Sequence, residues 1–166
     1  MSLARRAFSV CLLAALAGCG FSLRGTTPDS QLAFESVYVD APNGTPLERD
    51  LRNAVRSGGT TLAADPKSAQ VLLRVLSQRE EKKLMTLNLQ GQVREFVLTY
   101  RVHFEVADAE NKKLLQPPEI ALQTIVSYSE SQALAKELEE RLTYDDLRRD
   151  AVSQIMRQLA RVNPKQ

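Results

Sequence analysis

Between Glu95 and Val106 the chain reads EFVLTYRVHFEV, and every second residue is large and apolar. Phe96, Leu98, Tyr100, Val102, Phe104 and Val106 share one parity, while Glu95, Val97, Thr99, Arg101, His103 and Glu105 share the other. Successive side chains of a strand point to opposite faces, so this period sets one face against a core and the other against something polar. A sheet with one strongly apolar face must be covered by another layer. The rest of the chain has to supply that cover.

Its supply is two amphipathic helices. Thr45-Pro46-Leu47-Glu48 is a capping box with proline at the first helical position, followed by Leu47, Leu51, Ala54 and Val55 at helical spacing, and Gly58-Gly59 stop it. Residues 137–161 carry Leu138, Leu142, Leu147, Ala151, Val152, Ile155 and Leu159 as a second apolar stripe among charges, before Pro164. Strands fill the space between. FESVYVD at residues 34–40 is β-branched and aromatic and runs into the turn signal APNG. Across residues 69–78, Val71, Leu73 and Val75 alternate with Leu72, Arg74 and Leu76, as in a strand buried on at least one face. The REEKK run after it, residues 79–83, reads as solvated, with a substrate patch as the other reading. Beyond the DAENKK turn and Pro117-Pro118, the alternation of Ile120, Leu122, Thr124, Val126 and Tyr128 makes a hairpin partner for the central strand. The expected fold is α+β. It is a two-layer α/β sandwich of order βαβββα, with two helices on one face of a four-stranded, mostly antiparallel sheet, as a single domain over residues 34–162.

Ahead of that domain, Arg5 and Arg6 precede an apolar run of about 11 residues, the form of a secretory signal and short of the roughly 20 residues a membrane-spanning helix needs. The run ends in Leu16-Ala17-Gly18-Cys19, which resembles the lipobox of bacterial lipoproteins. That resemblance implies removal of residues 1–18 and lipid attachment at Cys19, with S-diacylglycerol on the thiol and an N-palmitoyl chain. Gly20 rather than aspartate after it implies the outer membrane. Residues 19–33 read as a lipidated tether. Processing removes Arg5, Arg6 and Cys11, leaving 20 basic residues against 20 acidic ones and a single cysteine. A neutral domain has no excess charge with which to displace the counterions of nucleic acid, and a lone acylated cysteine forms no internal disulfide.

Little in the chain points to catalysis. His103 is the only histidine and falls on the polar face of a regular strand, so multi-histidine metal sites are excluded and a triad has one candidate base. No phosphate loop or zinc motif is present, and no cofactor is expected. Glu137, Glu139 and Glu140 read as helix-surface partners of Lys136 and Arg141 rather than as acid and base groups. Gln92, Arg94, Arg101 and Gln123 form either an ordinary wetted face or a set that pairs with phosphate.

Three segments, GFSLRG directly after Cys19, LNLQGQVREFVLTYRV and SQALAKELEE ahead of the last helix, resemble in order and spacing the LptE family of lipopolysaccharide-assembly lipoproteins. The likeness runs from Cys19 to about Leu159. It implies an outer-membrane, periplasm-facing lipoprotein that is not an enzyme. The implied partners are the LptD β-barrel, which the domain plugs and helps assemble, and lipopolysaccharide, which it helps deliver to the outer leaflet. The family's lipopolysaccharide-binding lysine falls on Lys136. The family's arginine before Asn-Gly-Gln is replaced here by Leu89, so a second basic contact would have to come from Arg94 or Lys83. By spacing alone, Lys136 is a surface lysine paired with Glu139 or Glu140. Two other readings stand beside this one: a free-standing outer-membrane lipoprotein with a scaffold role, and a periplasmic hydrolase built around His103.

Overall fold

The structure, a computed structural model, describes residues 32–115 and 119–163. Cys19, the signal segment and most of the tether lie outside the described residues. The elements run β1 (Ser36–Asp40), α1 (Pro46–Ser57), β2 (Thr61–Leu62), β3 (Val71–Leu87), β4 (Val93–Asp108), β5 (Glu119–Ser127) and α2 (Ala133–Leu159). Short 3-10 turns at Pro66–Ser68 and Glu130–Gln132 lead into β3 and α2.

The five strands form one sheet in the order β2-β1-β3-β4-β5. The expected four-stranded sheet thus gains an edge strand. Thr61–Leu62 pairs in parallel with β1 at Ser36 and Val37, and two residues after a glycine pair are too few to show any period. β1 is also parallel to β3, over residues 71–74, whereas the long β3–β4 and β4–β5 ladders are antiparallel.

α1 forms where its capping residues dictate. Thr45 Oγ1 accepts from the Glu48 amide at 3.2 Å, and Glu48 Oε2 accepts from the Gly44 amide at 2.7 Å, so two otherwise orphaned donors are satisfied. Leu47, Leu51 and Val55 are fully buried. They meet Val37, Val39, Val71 and Leu73, together with Leu98, Tyr100, Val102, Phe104 and Val106 of β4, in one core that also takes Tyr144, Leu147, Ala151, Val152, Ile155 and Leu159 of α2. Both helices therefore lie on the same face of the sheet. Among the described residues, the opposite face is covered only at one end, where Ala63 and Ala69 of the β2–β3 connection pack with Leu72 and Ala107.

Two expectations are corrected here. The strand expected to end at Gln78 does not stop there: β3 continues through the REEKK run, whose residues are mostly exposed, to Leu87, paired residue by residue with β4. On the side facing β4 the backbone amides and carbonyls gain ladder partners while the charged heads stay in or near water, so charge does not end the strand. The stripe of the last helix also divides. Leu138 and Leu142 are 52% and 55% exposed, and Leu134, one turn earlier, is 80% exposed. The buried residues of α2 begin at Tyr144. Among the described residues, no helix is long and apolar enough to cross a membrane.

Candidate functional site

A bulge decides which side chains meet at the far end of the sheet. Leu73 pairs with Val106 and Val75 with Phe104, but the register then shifts between Val75 and Ser77. An extra residue on one strand reverses the parity of all that follows. Beyond Leu76 it is Gln78, Glu80, Lys82 and Leu84 that sit opposite Val102, Tyr100, Leu98 and Phe96, on the helix side. Arg79, Glu81 and Lys83 turn to the open face.

On the helix side, the first turns of α2 stand off the ends of β4 and β5 and leave a cleft of about 350 Å³. Its walls combine Phe96, Val126, Tyr128 and Leu134 with Lys82, Lys136, Glu139 and Glu140. The Phe96 and Tyr128 rings meet edge to face at 5.5 Å and 80°, which fixes the floor. Lys136 is only 18% exposed; its Nζ donates to Ser127 Oγ at 3.0 Å and to Glu139 Oε2 at 2.8 Å. Lys82 approaches from β3. Its Nζ stands 4.3 Å from the centre of the Phe96 ring and donates to Glu140 Oε2. The helix-surface pairing of Lys136 with Glu139 is thus present, while Glu140 reaches across to the sheet instead.

The other sequence candidates are dispersed. Arg94 lines a neighbouring depression of about 280 Å³ with Gln92, Tyr128 and Ser131, and its carbonyl accepts from the Tyr128 amide at 2.8 Å. Lys136 and Arg94 therefore flank the same tyrosine. Lys83 is on the opposite face, 71% exposed and 3.5 Å from Glu81 Oε2. Leu89 is fully exposed at the tip of the β3–β4 hairpin. Lys82 is not singled out by the sequence, because the readable alternation ends at Gln78 and the REEKK run after it shows no apolar period; only the continued ladder, shifted at Leu76, places Lys82 toward the helices.

The open face is a lattice of paired charges. Arg101 Nη1 donates to Glu119 at 2.8 Å and its Nε lies 3.5 Å from Glu81, while Glu105 receives Lys113 at 2.9 Å and Arg74 at 3.3 Å. The Arg101 hydrogen bond holds the Glu119 carboxyl below the usual carboxylate range, with His103 as a further positive neighbour, and Lys113 does the same for Glu105, followed by Arg74. His103 belongs to this lattice, with Nε2 at 3.5 Å from Glu119 and a side chain 46% exposed.

With this geometry in view, residues 34–159 match the family model LptE, described as lipopolysaccharide-assembly. The chain belongs to the LptE family. A relative from Photorhabdus laumondii, named LPS-assembly lipoprotein LptE, is 28% identical over 148 residues, covering 89% of this chain and 80% of its own. Among solved structures, the fold is similar to lipoprotein B of Nitrosomonas europaea, with a TM-score of 0.73 and 36% identity over 85% of this chain and 90% of that one. It is also similar to the rare lipoprotein B of Shewanella oneidensis, with a TM-score of 0.67 and 25% identity over 75% of this chain and 93% of the other. The LptE family serves lipopolysaccharide assembly, an envelope process, and its named members here are LPS-assembly lipoproteins.

Proposed function

We propose that the domain, tethered through acylated Cys19 to the outer membrane, sits in the lumen of the LptD β-barrel from the periplasmic side. There it assists assembly of the barrel and delivery of lipopolysaccharide to the outer leaflet. Membership of the LptE family supports the part in lipopolysaccharide assembly, and the observation that favours a lumenal position is the open sheet face. A barrel large enough to hold a domain has a polar, wet interior. A plug inside it needs a rigid body with charged groups already satisfied by one another. The Arg101–Glu119, Arg74–Glu105 and Lys113–Glu105 pairs support that reading, three cations being held by two carboxylates on the same face.

Lipopolysaccharide would meet the cleft beside Lys136, with Arg94 on the far side of Tyr128 as an outer contact. Lys83, on the opposite face, would serve only a ligand that passes along the barrel side of the sheet. Phosphates would replace carboxylates as partners of the ammonium groups, and Phe96, Val126 and Leu134 would receive the apolar part. The test is substitution of Lys136 by aspartate in the acylated protein. Loss of lipopolysaccharide binding with an unchanged unfolding midpoint supports the assignment; unchanged binding removes it.

A further inference from the structure

Lys82 and Lys136 enter one cleft from different elements, and each arrives with a carboxylate from the same turn of α2. We propose that Lys82 is the second cation of this anion site and that Glu139 and Glu140 are tethered competitors, occupying the places that phosphate groups of the ligand take. The inference rests on the reading of Lys136 as a lipopolysaccharide contact and extends it to three residues that sequence comparison alone leaves unassigned.

The geometry carries each part. An ammonium has three donors, so Lys136 can keep Ser127 Oγ and still exchange Glu139 for another acceptor. Lys82 is held against the face of Phe96, an attraction that survives the loss of Glu140. Glu139 is 49% exposed and Glu140 24% exposed, so each carboxylate has water to turn toward when displaced. The exchange trades one charge-assisted hydrogen bond for another, so the net gain per phosphate is small. A phosphorylated amphiphile is then held weakly at a site that looks strongly basic once the carboxylates are gone. Weak holding suits a component that must release what it passes on.

The experiment titrates the full acylated protein with purified lipopolysaccharide and with the same material after dephosphorylation. Lys82→Gln should weaken binding roughly five- to tenfold, Lys82→Arg should restore most of it, and the double variant Glu139→Gln/Glu140→Gln should tighten binding by a similar factor. Dephosphorylated ligand should respond to none of these changes. Unaltered or tighter binding by Lys82→Gln overturns the inference, as does unaltered or weaker binding by the double glutamine variant. Equal sensitivity of the dephosphorylated ligand overturns it as well. Lys136→Asp separates the two levels: if it leaves binding unchanged, the reading of the cleft itself fails, whereas if it weakens binding while the Lys82 and glutamate variants do nothing, only the competitor inference fails.

Discussion

Arg148 Nε donates to Asp50 Oδ2 at 2.8 Å, joining α2 to α1 between residues 98 positions apart in the chain. The guanidinium also donates to Asp145 Oδ1 at 2.6 Å and is 10% exposed, against 23% for Asp50. A cation this far from water depends on its partners, so removing one leaves a charge incompletely paired. Asp50→Ala should lower stability by about 1–3 kcal/mol. Arg148→Met should cost less, because it removes the buried charge along with the need for a partner. Urea unfolding of the two variants and of their combination gives the coupling directly.

Tyr144 does for β3 what no neighbouring strand does. β1 covers β3 only over residues 71–74, and among the described residues the outer edge beyond is met by no other strand. The Tyr144 hydroxyl donates to the Glu81 carbonyl at 2.8 Å. Burial, followed by Glu140, Glu80 and Glu81, pushes that hydroxyl up to about 12, so it stays a donor well above neutral pH. Tyr144→Phe should cost about 1 kcal/mol and raise amide exchange around residues 79–83, with the core of β4 unchanged.

Acid should unfold the open face first. Glu105 is held below its ordinary value by Lys113 and then Arg74, and Glu119 by Arg101 and then His103. A carboxyl with a folded value below its unfolded one binds fewer protons when folded, so its contribution is complete above the unfolded value and is lost as pH falls through the folded one. Stability should therefore decline below about pH 4.5. The double variant Glu105→Gln/Glu119→Gln should flatten that decline while leaving the shape of the neutral region alone. Thermal unfolding midpoints across pH 2–7 check it.

Gly91 closes the β3–β4 hairpin with φ at +75°, and its amide donates to the Asn88 carbonyl at 3.0 Å. A Cβ there would meet nothing within 4 Å. Gly91→Ala should consequently cost about 1 kcal/mol from backbone strain alone, read as a small shift of the urea midpoint with lipopolysaccharide binding intact.

The sequence made β4 and α1 plain because their signals are local: a period of two over twelve residues and a capping box with proline behind it. Lys82 was hidden by an event no period records. The Leu76 bulge inverts β3 exactly one residue, so parity read from Val71 and Val75 points to Lys83, which the ladder sends to the other face. β2 is too short for a pattern, and its existence depends on the parallel edge that β1 offers. Leu138 and Leu142 fit the helical stripe as well as Leu147 does, yet the sheet beneath α2 is packed closely only from Tyr144 onward. Helical periodicity identifies a face of a helix; it does not say how far along that face the partner layer extends.

A domain that works inside an outer-membrane barrel, as proposed, must touch the barrel wall through its open face. The direct measurement is affinity purification of the acylated protein after mild detergent extraction, with a photo-crosslinking residue placed at Gln123 on the open face. The expected result is recovery of LptD, crosslinked through that face and identified by mass. Recovery of the lipoprotein without LptD, and without any crosslink to a large β-barrel, would contradict it.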